Sequence, residues 1–195
     1  MKIGITGGIG SGKTYICKRL QELGYPIYIC DDEAKRLMQE DKELRRRLVS
    51  ILGTDAYVDD GLNKALIAQF LFKDKDNARI INGIVHPAVR HDMECWYEKQ
   101  TAELCFVESA LLFEAGIDSL VDKTVLIYAD EDVRLQRAML RDGVDAEKVR
   151  MRMAQQAPPQ DYIEKVDYVL EHNRTDNTEE EIQKLIGALL AEARK

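Results

Sequence analysis

The spacing of apolar positions changes along the chain, and the changes mark predicted strands and helices. A β-type run at Lys2–Thr6 leads into a glycine-rich segment. Apolar residues then recur at helical spacing up to Leu23, and Gly24 supplies a stop signal. A second short strand is predicted over residues 27–30. A strand, a loop, a helix and a strand in this order are typical of an α/β fold with a parallel sheet.

The stretch from residue 33 to residue 100 has an almost wholly helical pattern. Its apolar residues fall into successive stripes, and Pro87 is expected in the first turn of a further helix. Strand patterns resume at residues 104–107, 124–128 and 168–170, with a helix predicted over 133–140. Thr178 and the glutamates after it resemble a capping box at the start of a C-terminal helix. We therefore predict an α/β core with a helical insertion between its second and third strands.

Composition and charge narrow the class of protein. The chain has 195 residues, 45% of them apolar, which suffices for one compact domain with a small inserted part. No apolar run approaches the roughly 18 to 20 residues of a membrane span. The net charge of −7 argues against a nucleic-acid binder, yet residues 134–152 carry six basic and three acidic side chains. A local basic segment on an acidic protein fits a small anionic ligand.

The cysteine pattern indicates a reducing compartment. Cys17, Cys30, Cys95 and Cys105 show no CxxC spacing and no histidine pattern for zinc. Cys17 and Cys30 are predicted to be small buried residues. We expect a cytoplasmic protein.

The glycine-rich segment after the first strand carries the clearest chemical signal. Gly7 to Thr14 reads as a complete GxxxxGK[ST] phosphate loop between a predicted strand and a predicted helix. Its backbone N–H groups can surround phosphates at the positive end of the helix. The side chain of Lys13 is expected to reach the outer phosphates of ATP, and the Thr14 hydroxyl to ligate Mg²⁺. The predicted nucleotide-binding residues of the loop are Gly8, Ile9, Gly10, Ser11, Gly12, Lys13 and Thr14.

A missing GTPase motif and a pair of aspartates favour a small-molecule kinase over a GTPase. GTPases usually carry an Asn-Lys-x-Asp element, but Asn63 and Lys64 stand in a helical region with no such aspartate. Asp31 and Asp32 follow the second predicted strand, at the sheet edge where α/β folds bind ligands. Either carboxylate can orient an acceptor hydroxyl or cap a helix, and spacing leaves both roles open.

Three arginines share one face of the predicted helix near residue 137. Arg134, Arg137 and Arg141 follow i, i+3, i+7 spacing, which suits bidentate contacts to phosphate. A salt-bridged solvent face is the alternative that the spacing leaves open.

These segments together resemble the dephospho-CoA kinase family over nearly the whole chain. The phosphate loop, the DDEAK segment from Asp31, the His86-Pro87 pair and the LLFE segment ending at Glu114 match its motifs. The segment from residue 136 to 142 resembles its lid helix, and the segment from 167 to Asn173 its last strand and adenine-side loop. The sequence departs from the pattern at three positions, which are Ile29, Ala110 and His172.

The resemblance implies a P-loop NTPase-type α/β fold with a five-stranded parallel sheet flanked by helices. It implies a helical CoA-binding subdomain over residues 33–100 and a lid over residues 137–158. The implied reaction is transfer of the ATP γ-phosphoryl group to the ribose 3′-hydroxyl of dephospho-CoA, with ATP and Mg²⁺ as cofactors. The implied catalytic residues are Asp31, Lys13 and Arg141; Arg137, Arg141 and Asn173 would bind nucleotide, and Asp31, His86, Leu112 and Glu114 substrate.

Two other classes stay open at this point. Another small-molecule kinase, of a nucleotide, shikimate or gluconate type, would share the phosphate loop and the arginines. A nucleotide-binding switch would bind ATP without acceptor-dependent turnover. For partners, we expect dephospho-CoA, no nucleic acid, no membrane, and a monomer or weak homo-oligomer.

Overall fold

The apolar run predicted near the N-terminus forms the central strand of a sheet. The computed structural model describes residues 1–174 and 177–195, the side chains of Phe72 and Lys75 apart. In it, strand β1 (Lys2–Thr6) is buried from Ile3 onward, as expected for a strand covered on both faces. The described residues form two units, one made of Met1–Tyr28 with Gln100–Lys195 and the other of Ile29–Lys99.

The first unit is built on a five-stranded parallel sheet, which confirms the predicted fold class. The strand order is β2 (Ile27–Ile29), β5 (Cys105–Glu108), β1, β6 (Lys123–Tyr128) and β7 (Tyr168–Glu171). The register pairs Gly4 of β1 with Val107 on one side and Thr124 on the other. The crossover connections that a parallel sheet requires place helices on its faces.

Helices cover this sheet with their apolar stripes. The helices of the first unit are α1 (Lys13–Glu22), α6 (Glu131–Asp142), α7 (Ala146–Met153), α8 (Gln160–Ile163) and α9 (Thr178–Ala193). Ile16 and Leu20 of α1 join Ile182 and Ile186 of α9 in one buried cluster with the strand residues. A smaller cluster joins α6 to α7, and the side chain of Ile9 packs against it.

The second unit is helical apart from one short hairpin. Its elements are α2 (Cys30–Glu40), α3 (Lys42–Leu52), a 3-10 turn at Thr54–Ala56, β3 (Tyr57–Val58), β4 (Gly61–Leu62), α4 (Lys64–Lys73) and α5 (Lys75–Tyr97). Strands β3 and β4 pair antiparallel, with Asp59 and Asp60 at positive φ between them. The expectation of an almost wholly helical stretch was wrong at this hairpin.

Three local predictions also need correction. Cys30 begins α2, so the strand predicted over residues 27–30 ends at Ile29. Pro87 lies inside α5 and not in a first turn. It is exposed, while Ile84, Val85, Val89 and Met93 of the same helix are buried, so core packing carries the helix past the proline. Thr178 is not a capping residue, because Asn177 is the N-cap of α9.

Candidate active site

The phosphate loop lies at the carboxyl edge of the sheet in the first unit. β1 ends at Thr6, the loop follows, and α1 begins at Lys13. Strands β5, β6 and β7 run parallel to β1 and therefore end at the same edge. Open α/β sheets bind ligands outside this edge. The residues that follow these strands are consequently candidates for the same site as the loop.

Two glycines of the loop are required by both backbone and space. Gly10 and Gly12 have φ of 77° and 99°, a region that favours glycine. A Cβ at Gly10 would overlap the carbonyl oxygen of Arg134, and a Cβ at Gly12 would overlap the ring of His172. The loop is thus packed tightly against α6 and against the segment after β7. Within the loop, the Ser11 amide donates to the Gly8 carbonyl at 3.1 Å.

The ammonium group of Lys13 is held close to the loop. Its Nζ donates to the Gly7 carbonyl at 2.6 Å and lies 3.7 Å from Oε1 of Glu108. Glu108 is the last residue of β5, so it stands at the carboxyl edge beside β1. The sequence analysis did not select Glu108, although its place directly after an apolar strand was a usable signal.

Arg137 ties the loop to the segment after β7. Its Nη1 donates to the His172 carbonyl at 2.7 Å and lies 3.5 Å from the Ser11 carbonyl. Burial lowers the pKa of its guanidinium. Arg141, one turn further along α6, forms two bonds to its neighbour Asp142 at 2.7 and 3.0 Å. Of these two predicted nucleotide ligands, the structure therefore places Arg137 against the loop and pairs Arg141 with a carboxylate.

His172 supports the loop from the side of β7. Its ring stacks on Tyr15 with centroids 5.4 Å apart, and its Nδ1 lies 3.1 Å from the Thr178 hydroxyl. Because that hydroxyl donates to the Arg174 carbonyl, we assign the histidine proton to Nδ1. Burial, followed by the charge of Arg137, lowers the pKa of His172. A neutral ring is therefore the form that packs beneath Gly12.

Asn173 follows His172 and closes the same corner. Its Oδ1 accepts a hydrogen bond from the Asp130 amide at 2.7 Å, which links the segment after β7 to the start of α6. The predicted nucleotide residues Arg137 and Asn173 therefore come together with the phosphate loop in one unit.

A pocket lies beside the loop, and the segment after α7 forms part of its wall. Its lining includes Gly7, Gly8, Glu114, Gln156 and Tyr162. Oε1 of Gln156 accepts a hydrogen bond from the Ile9 amide at 2.9 Å, and the Tyr162 hydroxyl donates to Glu114. Burial, aided by the Glu114 carboxylate, raises the pKa of Tyr162 to about 12. The predicted substrate residue Glu114 thus lines this pocket together with Gln156, a residue that the sequence analysis did not select.

Leu112, by contrast, faces the interior of the first unit. Its side chain is fully buried, and its methyl groups fill the space over Gly4 of β1. The structure gives this side chain a packing role in the first unit, and a substrate contact of Leu112 stays a prediction.

The remaining predicted residues belong to the helical unit. Asp31 and Asp32 lie in the first turn of α2, where a helix favours acidic side chains. Asp32 is paired with Lys35 at 2.8 Å. Within the described part of the chain, the exposed carboxylate of Asp31 forms neither a hydrogen bond nor an ion pair. His86 is half-buried in α5, and its pKa is lowered by burial and by Arg90.

Two kinds of site are absent from the described residues. Across residues 1–174 and 177–195, no three His, Cys, Asp or Glu side chains converge as a metal site. In the same residues, no helix has the length and apolarity needed to cross a bilayer.

A phosphate loop between the central strand and the first helix of a parallel sheet defines a P-loop nucleotide-binding protein, and an arginine-bearing helix flanks this loop. The family model for dephospho-CoA kinase (CoaE) matches residues 1–188. The chain therefore belongs to the dephospho-CoA kinase family, a family of ATP-dependent kinases.

Individual relatives agree with this assignment. The dephospho-CoA kinase of Salinibacter ruber is 42% identical over 179 residues, which are 90% of each chain. A crystal structure of a Thermus thermophilus protein is 32% identical, with a TM-score of 0.82 over 98% of this chain and 97% of that one. The structure of dephospho-CoA kinase from Campylobacter jejuni shares the fold, at 22% identity and a TM-score of 0.69 over 97% and 98% of the two chains.

Proposed function

We propose that the chain transfers the γ-phosphoryl group of ATP to the ribose 3′-hydroxyl of dephospho-CoA, giving coenzyme A and ADP. The observation that carries the proposal is the preformed phosphate loop, with the Lys13 ammonium held at its mouth. Membership of the dephospho-CoA kinase family supports the choice of acceptor.

The loop residues hold the phosphates of ATP. The amides of the loop other than those of Ile9 and Ser11, which are bonded to Gln156 and to the Gly8 carbonyl, donate to the phosphate oxygens at the positive end of α1. The Lys13 ammonium contacts the outer phosphates. The exposed hydroxyl of Thr14, in the first turn of α1, would be a ligand of the Mg²⁺ that accompanies ATP. Such a metal ion would neutralise charge on the phosphates.

Asp31 orients the acceptor hydroxyl in this proposal. The 3′-oxygen forms a bond to the γ-phosphorus while the bond from that phosphorus to the β–γ bridging oxygen breaks and ADP leaves. The hydroxyl proton passes to the Asp31 carboxylate. Asp31 suits the role better than Asp32, because Asp32 is already bound to Lys35 and Asp31 has no such partner among the described residues.

Further roles follow from the same proposal. Residues 33–100 carry the CoA moiety, with His86 among the contacts, and Glu114 contributes from the pocket beside the loop. Residues 137–158 act as the lid, on which Arg137 and Arg141 neutralise charge during transfer. Asn173 contacts the nucleotide on the side of β7. We place the reaction in the cytoplasm.

The acceptor is tested by measuring ADP release with dephospho-CoA, nucleoside monophosphates and shikimate in parallel, and by locating the new phosphate with ³¹P NMR. We expect acceptor-dependent turnover with dephospho-CoA and a 3′-phosphomonoester as product. Turnover only with another acceptor would identify a different small-molecule kinase. ATP binding without turnover on any acceptor would favour a nucleotide switch.

The role of Asp31 is tested by Asp31→Asn, with Asp32→Asn as the matched control in the same helical turn. We expect Asp31→Asn to lower kcat by at least about 10²-fold, the scale of a lost general base, while the Kd for ATP stays within a factor of two or so. Asp32→Asn should keep most of the activity. A near-normal rate in Asp31→Asn would remove Asp31 from the mechanism, and a large loss in Asp32→Asn would transfer the role.

A further inference from the structure

Arg134 is a buried arginine that the mechanism above does not use. It lies in α6 with 6% of its surface exposed, and its Nε is buried without a hydrogen-bond partner among the described residues. In that part of the chain, its guanidinium forms no ion pair either. Glu131, one turn earlier, and Tyr128 act on it only at longer range.

The guanidinium of Arg134 is directed at the phosphate loop. Its Nη1 lies 2.7 Å from the position that a Cβ would take at Gly8, and Cγ of Pro159 lies 3.6 Å from the same position. The backbone carbonyl of Arg134 fills the corresponding space at Gly10. One residue of α6 therefore contacts the loop at two points, and its charge sits at Gly8, which lines the pocket beside the loop.

Such an arrangement is costly without a ligand. An arginine removed from water needs a carboxylate or several hydrogen bonds, and an apolar residue of similar size is often as stable or more so in its place. Burial lowers the pKa of Arg134, although a guanidinium stays charged at neutral pH. The cost of burying the Arg134 guanidinium is offset if an anion that binds beside the loop interacts with it.

We propose that Arg134 is a positioning residue for the outer phosphates of ATP, which holds a fixed positive charge against the Gly8 end of the phosphate loop. The proposal rests on the proposed ATP site and adds a residue to it. Arg134 differs from Arg137, which bonds to the His172 carbonyl, and from Arg141, which is paired with Asp142. It acts through the loop and needs no closure of a lid.

The test measures the binding of ATP, ADP and AMP by calorimetry, without any acceptor, to Arg134→Met, Arg134→Lys and the parent chain. Lys18→Met is the matched control, because Lys18 is an exposed cation on α1 and its loss changes the net charge equally. Thermal unfolding of the nucleotide-free proteins is recorded alongside. A failure of dephospho-CoA turnover would leave this test intact, because it follows nucleotide binding alone.

We expect Arg134→Met to weaken ATP binding about tenfold, ADP less and AMP hardly at all, as for a charge a few ångströms from the outer phosphates. Its nucleotide-free Tm should equal or exceed that of the parent, because an unpaired buried charge is removed. Arg134→Lys should restore part of the ATP preference, and Lys18→Met should change nothing. Equal weakening of the three nucleotides, or a lower Tm with an unchanged ATP-to-ADP ratio, would reduce Arg134 to a packing role and overturn the proposal.

Discussion

The substitution Gly12→Ala tests how firmly the phosphate loop is held from behind. The new methyl group would overlap Cδ2 of His172 and lie 2.9 Å from its Nε2. The histidine ring is only 3% exposed, stacks on Tyr15 and is bonded through Nδ1 to Thr178. The ring therefore cannot move aside without losing both contacts.

The expected cost has two parts. The φ of 99° at Gly12 costs a residue with a Cβ about 1 kcal/mol. Displacing the buried ring adds about 2 kcal/mol from overpacking and a lost hydrogen bond. The total of about 3 kcal/mol corresponds to a fall in Tm of about 6 to 12 °C for a chain of this size.

Urea unfolding of Gly12→Ala is compared with that of Gly24→Ala. Gly24 has a φ of 90°, but no described atom lies within 4 Å of the Cβ position, so Gly24→Ala isolates the backbone part. The double variant Gly12→Ala with His172→Ala removes the obstacle, and we expect it to be less destabilised than the sum of the two single changes. Equal losses in Gly12→Ala and Gly24→Ala, or strict additivity with His172→Ala, would refute the steric argument.

Two further predictions concern α1. Lys13→Ala should lower kcat/KM for ATP at least about 10²-fold in steady-state assays, because it removes the ammonium beside the loop. An unchanged kcat/KM would contradict the phosphate-binding role of Lys13. Burial raises the pKa of the Cys17 thiol to about 12 from an ordinary value of 9.0, so the unfolded chain loses this proton first as the pH rises. The free energy of unfolding should consequently fall between pH 9 and 12 more steeply in the parent than in Cys17→Ala, and equal slopes would show that Cys17 is not protected.

The elements of the sheet could be predicted because their signals are local. Residues 2–6 show a β-type run, and the glycines after them fit a turn into a helix. The helix itself carries one apolar stripe. The hairpin of β3 and β4 escaped prediction because two-residue strands are too short to show a period of two. Its turn at Asp59 and Asp60 was the available signal.

Pro87 shows a different limit. Proline disfavours a helix interior through its own ring and its missing N–H, and this local effect predicted a helix start. The surrounding stripe of Ile84, Val85, Val89 and Met93 is buried along one continuous face, which outweighs the local preference. Packing of this kind depends on partners that are distant in sequence, so a reading of adjacent residues does not show it.

The candidate site likewise has a part that a local sequence pattern predicts and a part that depends on residues distant in the sequence. The motif gives the loop residues and their chemistry, because phosphate binding by successive amides needs a fixed local spacing. The groups that hold the loop come from far along the chain, namely Gln156 at the Ile9 amide, Arg137 at the Ser11 carbonyl and His172 beneath Gly12. None of these carries a motif that identifies it as a support.

These supports have a consequence for the reaction. A loop whose N–H groups point in one direction gathers like partial charges, so without phosphate it tends to relax away from the binding conformation. Contacts from α6, from the segment after α7 and from the segment after β7 oppose this relaxation, since α6, α7 and β7 are themselves packed into the buried clusters of the first unit. Loop N–H groups that are already aligned need little reorganisation as negative charge develops on the β–γ bridging oxygen of ATP. In the proposed reaction the phosphate-binding residues of the loop therefore all belong to the sheet unit, and Asp31 of α2 is the first residue to test for a role at the acceptor.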